Sequence, residues 1–494
     1  MKTGQKSLTA ILALLAAAAL FSACGDSGTQ NSTTDTANVD TAAAPESTAE
    51  TEAVWPGEVQ DLGGQEIRIF NIDEYWGMTV RLEPDESTGD RLNDALYERA
   101  AKIESLFNCD LIDDAYAANL GMSNMATGAT KLLMAGDDTY DVMYIPNDKL
   151  VNLVDGGALW NLHDLDALNF DAAWWDASYN TDAVLGDALY GASGDGYLMA
   201  YDSSWCLFFN EAILTKLDME LPYQLVRDGK WTYDAFYSYI KGAASLNGDS
   251  DWSWTVGGNA VYGLVTHDHA PDKFILGAGV RYVTNENGSY VFSAETNRFY
   301  SAAASLAEML GEEGTTLRGN MDDFNQDRGY VYTFMNSRAA FLTAELKTAM
   351  NMRDMEETFG IVPFPKYDET QENYQTSIMS EMLVMTIPTT SKTPETTAAV
   401  MDALYYEGMQ SVVPVYFDVT VSQKGLRNED SIDMLNIIRS TRAVDIATMY
   451  GWNGELLNKI RESSFKGNST ADSDVAKYKS KIEEKINSFV KELG

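Results

Sequence analysis

The stretch "TGDRLNDALYERAAKIESLFNCDLI" (residues 88–112) sets two periodicities end to end. In its first part Leu92, Leu96, Ala100, Ile103 and Phe107 recur at helical spacing and line one face. Asp90 stands just before the run, where a carboxylate accepts from the unpaired N–H groups of a first turn. "NCDLI" then reads as a strand. Upstream, "QEIRIFNI" (65–72) is also strand-like. Downstream, "ATKLLMAG" (129–136) is helical, punctuated by Gly128 and Gly136, and "YDVMYIP" (140–146) is a third strand ending at Pro146. "DKLVNLVDGGALWNLHDL" follows as helix, turn and extended segment. Strands that alternate with helices predict a parallel sheet covered on both faces.

The pattern then restarts. "WCLFFN" (205–210), "VYGLVTH" (261–267), "AAFLTAEL" (339–346), "FGIVPFP" (359–365) and "EMLVMTIP" (381–388) are strand-like. "EAILTKLDM" and "WTYDAFYSYIKGAASL" are helical. "EDSIDMLNIIRSTR" is read as a helix capped by Ser431. The last helix, "DVAKYKSKIEEKINSFVKEL", turns Val475, Tyr478, Ile482, Ile486 and Phe489 inward. No short-period repeat appears, which excludes a solenoid or propeller. The fold class predicted is α/β, two lobes, each a mostly parallel sheet flanked by helices. Open α/β sheets bind ligands at the carboxyl ends of their strands, and two facing sheets make a cleft that closes on a small molecule.

Composition narrows the functions. A chain of 494 residues exceeds one ordinary core, which favours two domains or a two-lobed unit. The net charge of -39 repels polyanions and argues against nucleic-acid binding. With 26 Tyr, 18 Phe and 10 Trp, aromatics are plentiful, and most are assigned to the core. Three cysteines are too few for a disulfide scaffold. Cys109 and Cys206 sit in apolar, strand-like runs and read as buried reduced thiols, with a disulfide as the alternative.

The third, Cys24, belongs to a different kind of segment. Lys2 and Lys6 precede an apolar run from Leu8 to Phe21, followed by Ser22-Ala23-Cys24. The run is short for a bilayer and polar sequence follows, so residues 1–23 read as a signal peptide. The small residues before Cys24 resemble a bacterial lipobox, in which the Cys sulfur is lipidated after cleavage. Phe21 is a less usual residue at its place in that motif. Residues 25–54 lack Lys and Arg and have almost no large apolar side chain, so they cannot offset the entropy of folding. Residues 24–58 are expected to form a lipid-anchored tether on the outer face of the cell membrane. An ATP-driven or nicotinamide-dependent enzyme is out of place there.

Several segments together carry a family resemblance. They are "DLGGQEIRI", "TGDRLNDALYERAAKIESLFN", "YDVMYIPNDKLVNLVDGGALWNL", "FFNEAILTKL", "ELPYQLVRDGKWTYDAF" and "SIDMLNIIRS". In their order and spacing the chain resembles the family 1 extracellular solute-binding proteins, lipoprotein receptors of ABC sugar importers. The resemblance implies two lobes closing on an oligosaccharide or other small solute. It also implies a membrane permease and an intracellular ATPase as partners, and a monomer without a cofactor. The expected division is 59–204 with about 366–408 in one lobe, and 205–365 with about 409–494 in the other.

Sugars are held by aromatic faces and by carboxylates and amides that pair with hydroxyls. Past the first strand, "NIDEYWGMT" offers Asn71, Glu74, Tyr75 and Trp76, with ordinary loop packing as the alternative. Past the third strand lie Tyr144, Pro146, Asn147 and Asp148, and the resemblance makes this a ligand-facing loop. Ser204 and Trp205 stand where the chain crosses between lobes. Glu345 ends another strand. Trp452 in "MYGWNGE" matches a place where the family often supplies a stacking aromatic. Tyr416 and Glu381 are weaker candidates.

Enzyme motifs are sparse. No G-x-S-x-G elbow, H-E-x-x-H helix or Gly-rich phosphate loop appears. His267 and His269 in "HDH" have no clear further ligand set for a metal. A glycosidase needs only two carboxylates flanking a bond, but the lobed pattern lacks an eightfold strand–helix succession. A surface sensor or adhesin on the same fold is the other alternative. In "NGDSDWSWTVGGNAVYGL" (247–264), Asn247, Asp249 and Asp251 are a remnant of a turn that in this family weakly resembles a calcium loop. It has no closing Glu. Trp252 and Trp254 there read as clamping a turn onto the second lobe, with Trp254 the better of the two for the cleft.

Overall fold

The computed structural model describes residues 54–115, 124–286, 288–319, 329–421, 426 and 429–492. The signal-peptide, Cys24 and most of the tether assignments fall outside the described residues. Residues from Trp55 onwards form one compact unit. That unit takes in the last residues assigned to the tether. Trp55 is only 7% exposed, and its indole N–H donates to Asp402 Oδ2 at 2.8 Å.

The strands are β1 Gln65–Phe70, β2 Cys109–Asp114, β3 Val142–Pro146, β4 Trp205–Asn210, β5 Tyr262–Thr266, β6 Val283–Glu286, β7 Ser289–Phe292, β8 Thr316–Arg318, β9 Ala339–Glu345, β10 Phe359–Val362, β11 Thr376–Ser377, β12 Leu383–Thr386 and β13 Arg442–Ala443. The helix Arg91–Phe107 starts as its sequence dictates. Asp90 Oδ1 accepts from Leu92 N and Asn93 N at 3.1 and 3.0 Å. Asn108, with φ of 49°, ends it in the left-handed region that Asn tolerates. Leu92, Leu96, Ala100, Ile103 and Phe107 are all buried.

The first sheet has the order β12-β3-β1-β2 and the second β10-β4-β9-β5-β8. In the first sheet β1 runs parallel to β2 and β3, and only β12 is reversed. In the second only β4 is reversed. β4 and β12 are the strands that enter a sheet directly after the chain has left the other one. Every β4 residue is buried, so this continuous apolar run carries no alternation. On the second sheet Phe341 is surrounded by Phe209, Trp231, Phe236 and Tyr239 at ring distances of 5.3–6.1 Å. Removing such a ring costs about 3–5 kcal/mol.

A third passage completes the topology. The helix Pro394–Glu407 and the segment Gly408–Val421 that continues it both pack on the helix Arg91–Phe107, beside the first sheet. The sequence division had placed residues after 408 in the second lobe. Gly408 is needed at the join, because a Cβ there would lie 2.4 Å from the Asp195 carbonyl oxygen. The helix Glu429–Ser440 then packs on β10. Ser431 lies within that helix rather than capping it, and its hydroxyl is 3.2 Å from Tyr223 OH. β11 and β13 pair in parallel between the two sheets' territories. Cys109 and Cys206 are both buried free thiols. Among the described residues no helix is long and apolar enough to cross a membrane.

Candidate functional site

The strand ends of both sheets converge on a junction. From the first sheet come the loop after β1 and the turn after β3. From the second come the residues after β5 and β9, and between them run the crossing segments 202–205 and 376–382. Asp202 organises the join. It is buried and accepts from Thr79 N at 2.6 Å and from Tyr416 OH at 2.8 Å. Ser204 O accepts from Leu346 N at 2.8 Å, so the crossing strand is tied to the end of β9.

Two contacts fix the rim, and the first joins the two sheets' sides. The Lys347 ammonium, from the segment after β9, donates to the Trp76 carbonyl oxygen. Tyr75 OH donates to the Glu381 carbonyl oxygen at 2.9 Å. Trp76 is 42% exposed, has φ of 52° and packs against the Tyr75 ring at 4.7 Å. A bulky side chain in the left-handed region is a strained arrangement of the sort found at functional sites. Glu74 holds that turn by accepting from Gly77 N at 2.6 Å.

Behind the rim, Asn147 Oδ1 accepts from Tyr179 OH at 2.7 Å, and Asp148 N donates to Ser380 O at 3.1 Å. Asp148 pairs with Lys149 through one oxygen, while the other, Oδ1, is buried without a partner among the described residues. Burial pushes the Asp148 carboxyl up against the pull of Lys149, and Glu381 adds to the push. For Glu381 burial works in the same direction. The Ser380 hydroxyl at 2.7 Å and the Lys273 ammonium outweigh it and hold this carboxyl below its ordinary range.

Trp205 is buried opposite Glu345 in the β4–β9 ladder, and its indole N–H has no partner among the described residues. Lys273 Nζ lies 5.4 Å from the centre of the Trp205 ring, and the His267 ring is 6.2 Å away. Lys273 also lines a cavity of about 40 Å³, with Asn147, Tyr282, Ser377, Ser380 and Asp445 among its walls. The Tyr282 hydroxyl is buried and has no partner among the described residues. That space holds about one to three waters. As it stands, that space is too small for a sugar.

Tyr75, Trp76, Asn147, Asp148, Ser204, Trp205 and Glu345 thus belong to segments that meet here, as does Glu381. The structure directs others elsewhere. Asn71 is fully buried, donating to Val80 O and Asp113 Oδ1 and accepting from Tyr197 OH. Tyr144 stacks on Tyr197 at 4.1 Å and shares a hydrogen bond with Tyr405 OH, inside the first sheet's core. Trp452, 4% exposed, packs against Tyr450, Phe489 and Tyr290. Lys273, Tyr282, Lys347 and Arg461 were not anticipated, although the strand-end rule applied to β9 leads to Lys347.

The other motifs have structural work. Asp268 of "HDH" forms a bidentate pair with Arg318 at 2.6 and 3.0 Å. Burial lowers both imidazoles, that of His269 to about 4, so they are neutral near pH 7. Among the described residues no group of His, Cys, Asp or Glu is arranged to hold a metal ion. Asp249 spends its carboxylate on Asn259 N, Ala260 N and Asn259 Nδ2 at 2.6–3.1 Å. Trp252 lies against Gly314 and Tyr262, and Trp254 Nε1 donates to Thr333 Oγ1 at 2.9 Å. Both indoles clamp their loop to the second lobe.

Comparison with known proteins gives this junction a setting. The sequence pattern of the bacterial extracellular solute-binding proteins matches residues 118–411, and the chain belongs to that family. No curated protein matches its sequence. Its fold is shared with an ABC substrate-binding protein from Listeria monocytogenes solved with cycloalternan (TM-score 0.55, 13% identity, 86% of this chain and 99% of that one). It is shared also with a cyclo/maltodextrin-binding protein complexed with maltotetraose (0.56, 13%, 86% and 98%). The GacH receptor of Streptomyces glaucescens, solved with acarbose, is similar to the same degree (0.53, 11%, 87% and 99%).

Proposed function

We propose that this protein is the extracellular solute-binding component of an ABC importer, held to the cell membrane by a lipid on Cys24. Its solute is a carbohydrate, an oligosaccharide rather than a single sugar, which it captures and hands to a permease without turnover. The observation that carries the reading is the buried, unpartnered Trp205 N–H at the junction, with the Asp148 Oδ1 acceptor and the Tyr282 hydroxyl also unpaired. Such groups cost stability while empty and are satisfied by a ligand rich in hydroxyls. The Trp205 ring supplies the apolar face that a sugar's C–H surface covers. Trp76, exposed at the rim, offers a second ring for a further sugar unit, with Tyr75, Glu74, Asn147, Ser204 and Glu345 around the path.

A thermal-shift screen of the protein from Trp55 onwards against neutral and acidic glycans tests the reading. A ligand-dependent rise in melting temperature, with the glycan recovered intact, is expected. Cleaved glycan in the recovered material would replace the receptor with an enzyme. A sensor or adhesin would bind glycan yet leave uptake unchanged when the gene is deleted.

A further inference from the structure

We infer that the Lys273 ammonium is a donor held in reserve for the solute, and that together with Glu381 it selects an uncharged, hydroxyl-rich ligand over an acidic one. The inference rests on the proposed carbohydrate site and names the class of sugar it takes.

Lysine is almost never buried unless it is paired. Lys273 is only 6% exposed and lines the small cavity, and among the described residues no hydrogen bond or ion pair is made by its ammonium. Its neighbour Asp272 would be the natural partner, but that carboxylate is taken. Arg461 Nε reaches both its oxygens, at 2.9 and 2.8 Å, and Arg461 Nη2 bonds the same group. What Lys273 does face is the Trp205 ring and the small cavity it shares with Ser380, Asn147 and Tyr282. A cation above an indole gains some attraction, less than a carboxylate would give it. Burial accordingly pulls the Lys273 ammonium below the ordinary lysine range.

The charges around it decide what fills the gap. Asp272 is paired with Arg461. Beyond them the carboxylates that act on Lys273 are Glu381 and Glu345, and neither touches it. One ammonium facing two carboxylates leaves an excess of negative charge. An acidic sugar would add to that excess at a site shut away from water, where like charges repel strongly. A neutral sugar adds none. Its hydroxyl accepts from Lys273 Nζ and donates its own proton to a carboxylate such as Glu381, so one group satisfies both.

The test uses Lys273→Met, which keeps an unbranched chain of similar length and removes the charge. The probes are maltotetraose, cellotetraose and xylotetraose as neutral sugars, with tetragalacturonate as the acidic one. The expected result is a higher melting temperature for the empty variant than for the wild type, since an unpaired buried charge is gone. Affinity for whichever neutral sugar binds the wild type should fall at least about tenfold, one charge-assisted hydrogen bond's worth. Glu381→Gln should narrow the preference for that sugar over tetragalacturonate. A lower melting temperature for the methionine variant, or undiminished binding, overturns the role of Lys273. Tighter binding of tetragalacturonate by the wild type overturns the selectivity. If none of the four binds, the carbohydrate reading is what fails, and the melting comparison still decides whether Lys273 is strained when the site is empty.

Discussion

Tyr290 donates its hydroxyl proton to the Val184 carbonyl oxygen at 2.8 Å and accepts from Gly186 N at 2.7 Å. One phenol thereby ties the β6–β7 hairpin to a turn that belongs with the first sheet. Arg281 and Asp182 add an ion pair at 3.6 Å nearby, and Asp182 also accepts from Val444 N at 3.2 Å. Trp452 contacts the Tyr290 ring from the other side at 5.9 Å. On the proposed function these bonds hold the closed state and must break for the solute to leave. Tyr290→Phe removes both, worth about 1–3 kcal/mol together. It should speed solute dissociation by about tenfold in stopped-flow measurements while scarcely moving the association rate. An unchanged dissociation rate would mean that the hairpin does not bear on closure.

Asp402 gathers three indoles. Trp55, Trp174 and Trp175 donate to its carboxylate at 2.8, 3.0 and 2.8 Å, and Asn169 N adds a fourth bond at 3.2 Å. An amide cannot replace this group, because its NH2 would face donors. Asp402→Asn should lower stability by about 2–3 kcal/mol in urea titrations, with the loss of a buried charge-assisted network as the cause. Wild-type stability in that variant would show that the indoles need no anion.

Burial raises the Glu83 carboxyl to about 7, with Glu104 and then Asp113 adding to the effect. The folded protein therefore keeps a proton that the unfolded chain releases near pH 4.5. The stability this contributes is complete below that pH and is lost as pH rises through about 7. Melting temperature should fall between pH 5.5 and pH 8, and Glu83→Gln should flatten that fall. A variant with the wild-type slope would assign the pH dependence to other groups.

The helix Arg91–Phe107 was legible because its signals are local: apolar spacing, an Asp cap and a strand directly after it. Strands β11 and β13 were not, since two residues carry no periodicity and their partners lie far apart in sequence. Ser431 resembled a cap because Ser caps many helices, yet the helix begins earlier and the hydroxyl meets Tyr223 instead. The same physics governs the site. The loop "NIDEYW" announces Tyr75 and Trp76 at the rim by composition. Nothing local says that Asn71 is saturated by Asp113 and Tyr197, or that Arg461 occupies Asp272 and leaves Lys273 without a partner. These facts depend on contacts between distant segments, and only the folded chain displays them.

Cys24 carries the proposed anchor. Cys24→Ser should move the protein from the membrane fraction to the medium and abolish labelling by a fatty-acid analogue, because acyl chains contribute about 0.8 kcal/mol per buried CH2. Retention of the variant on membranes would point to another anchor.

The central claim is that a carbohydrate is captured at the junction around Trp205. Calorimetric titration of the protein from Trp55 onwards, wild type beside Trp205→Ala, tests it most directly, with the glycan that gives the largest thermal shift as titrant. The account predicts one site per chain for the wild type, at least about 100-fold weaker binding in the variant, and intact glycan afterwards. Equal affinities for the two proteins, or glycan cleaved during the titration, would contradict it.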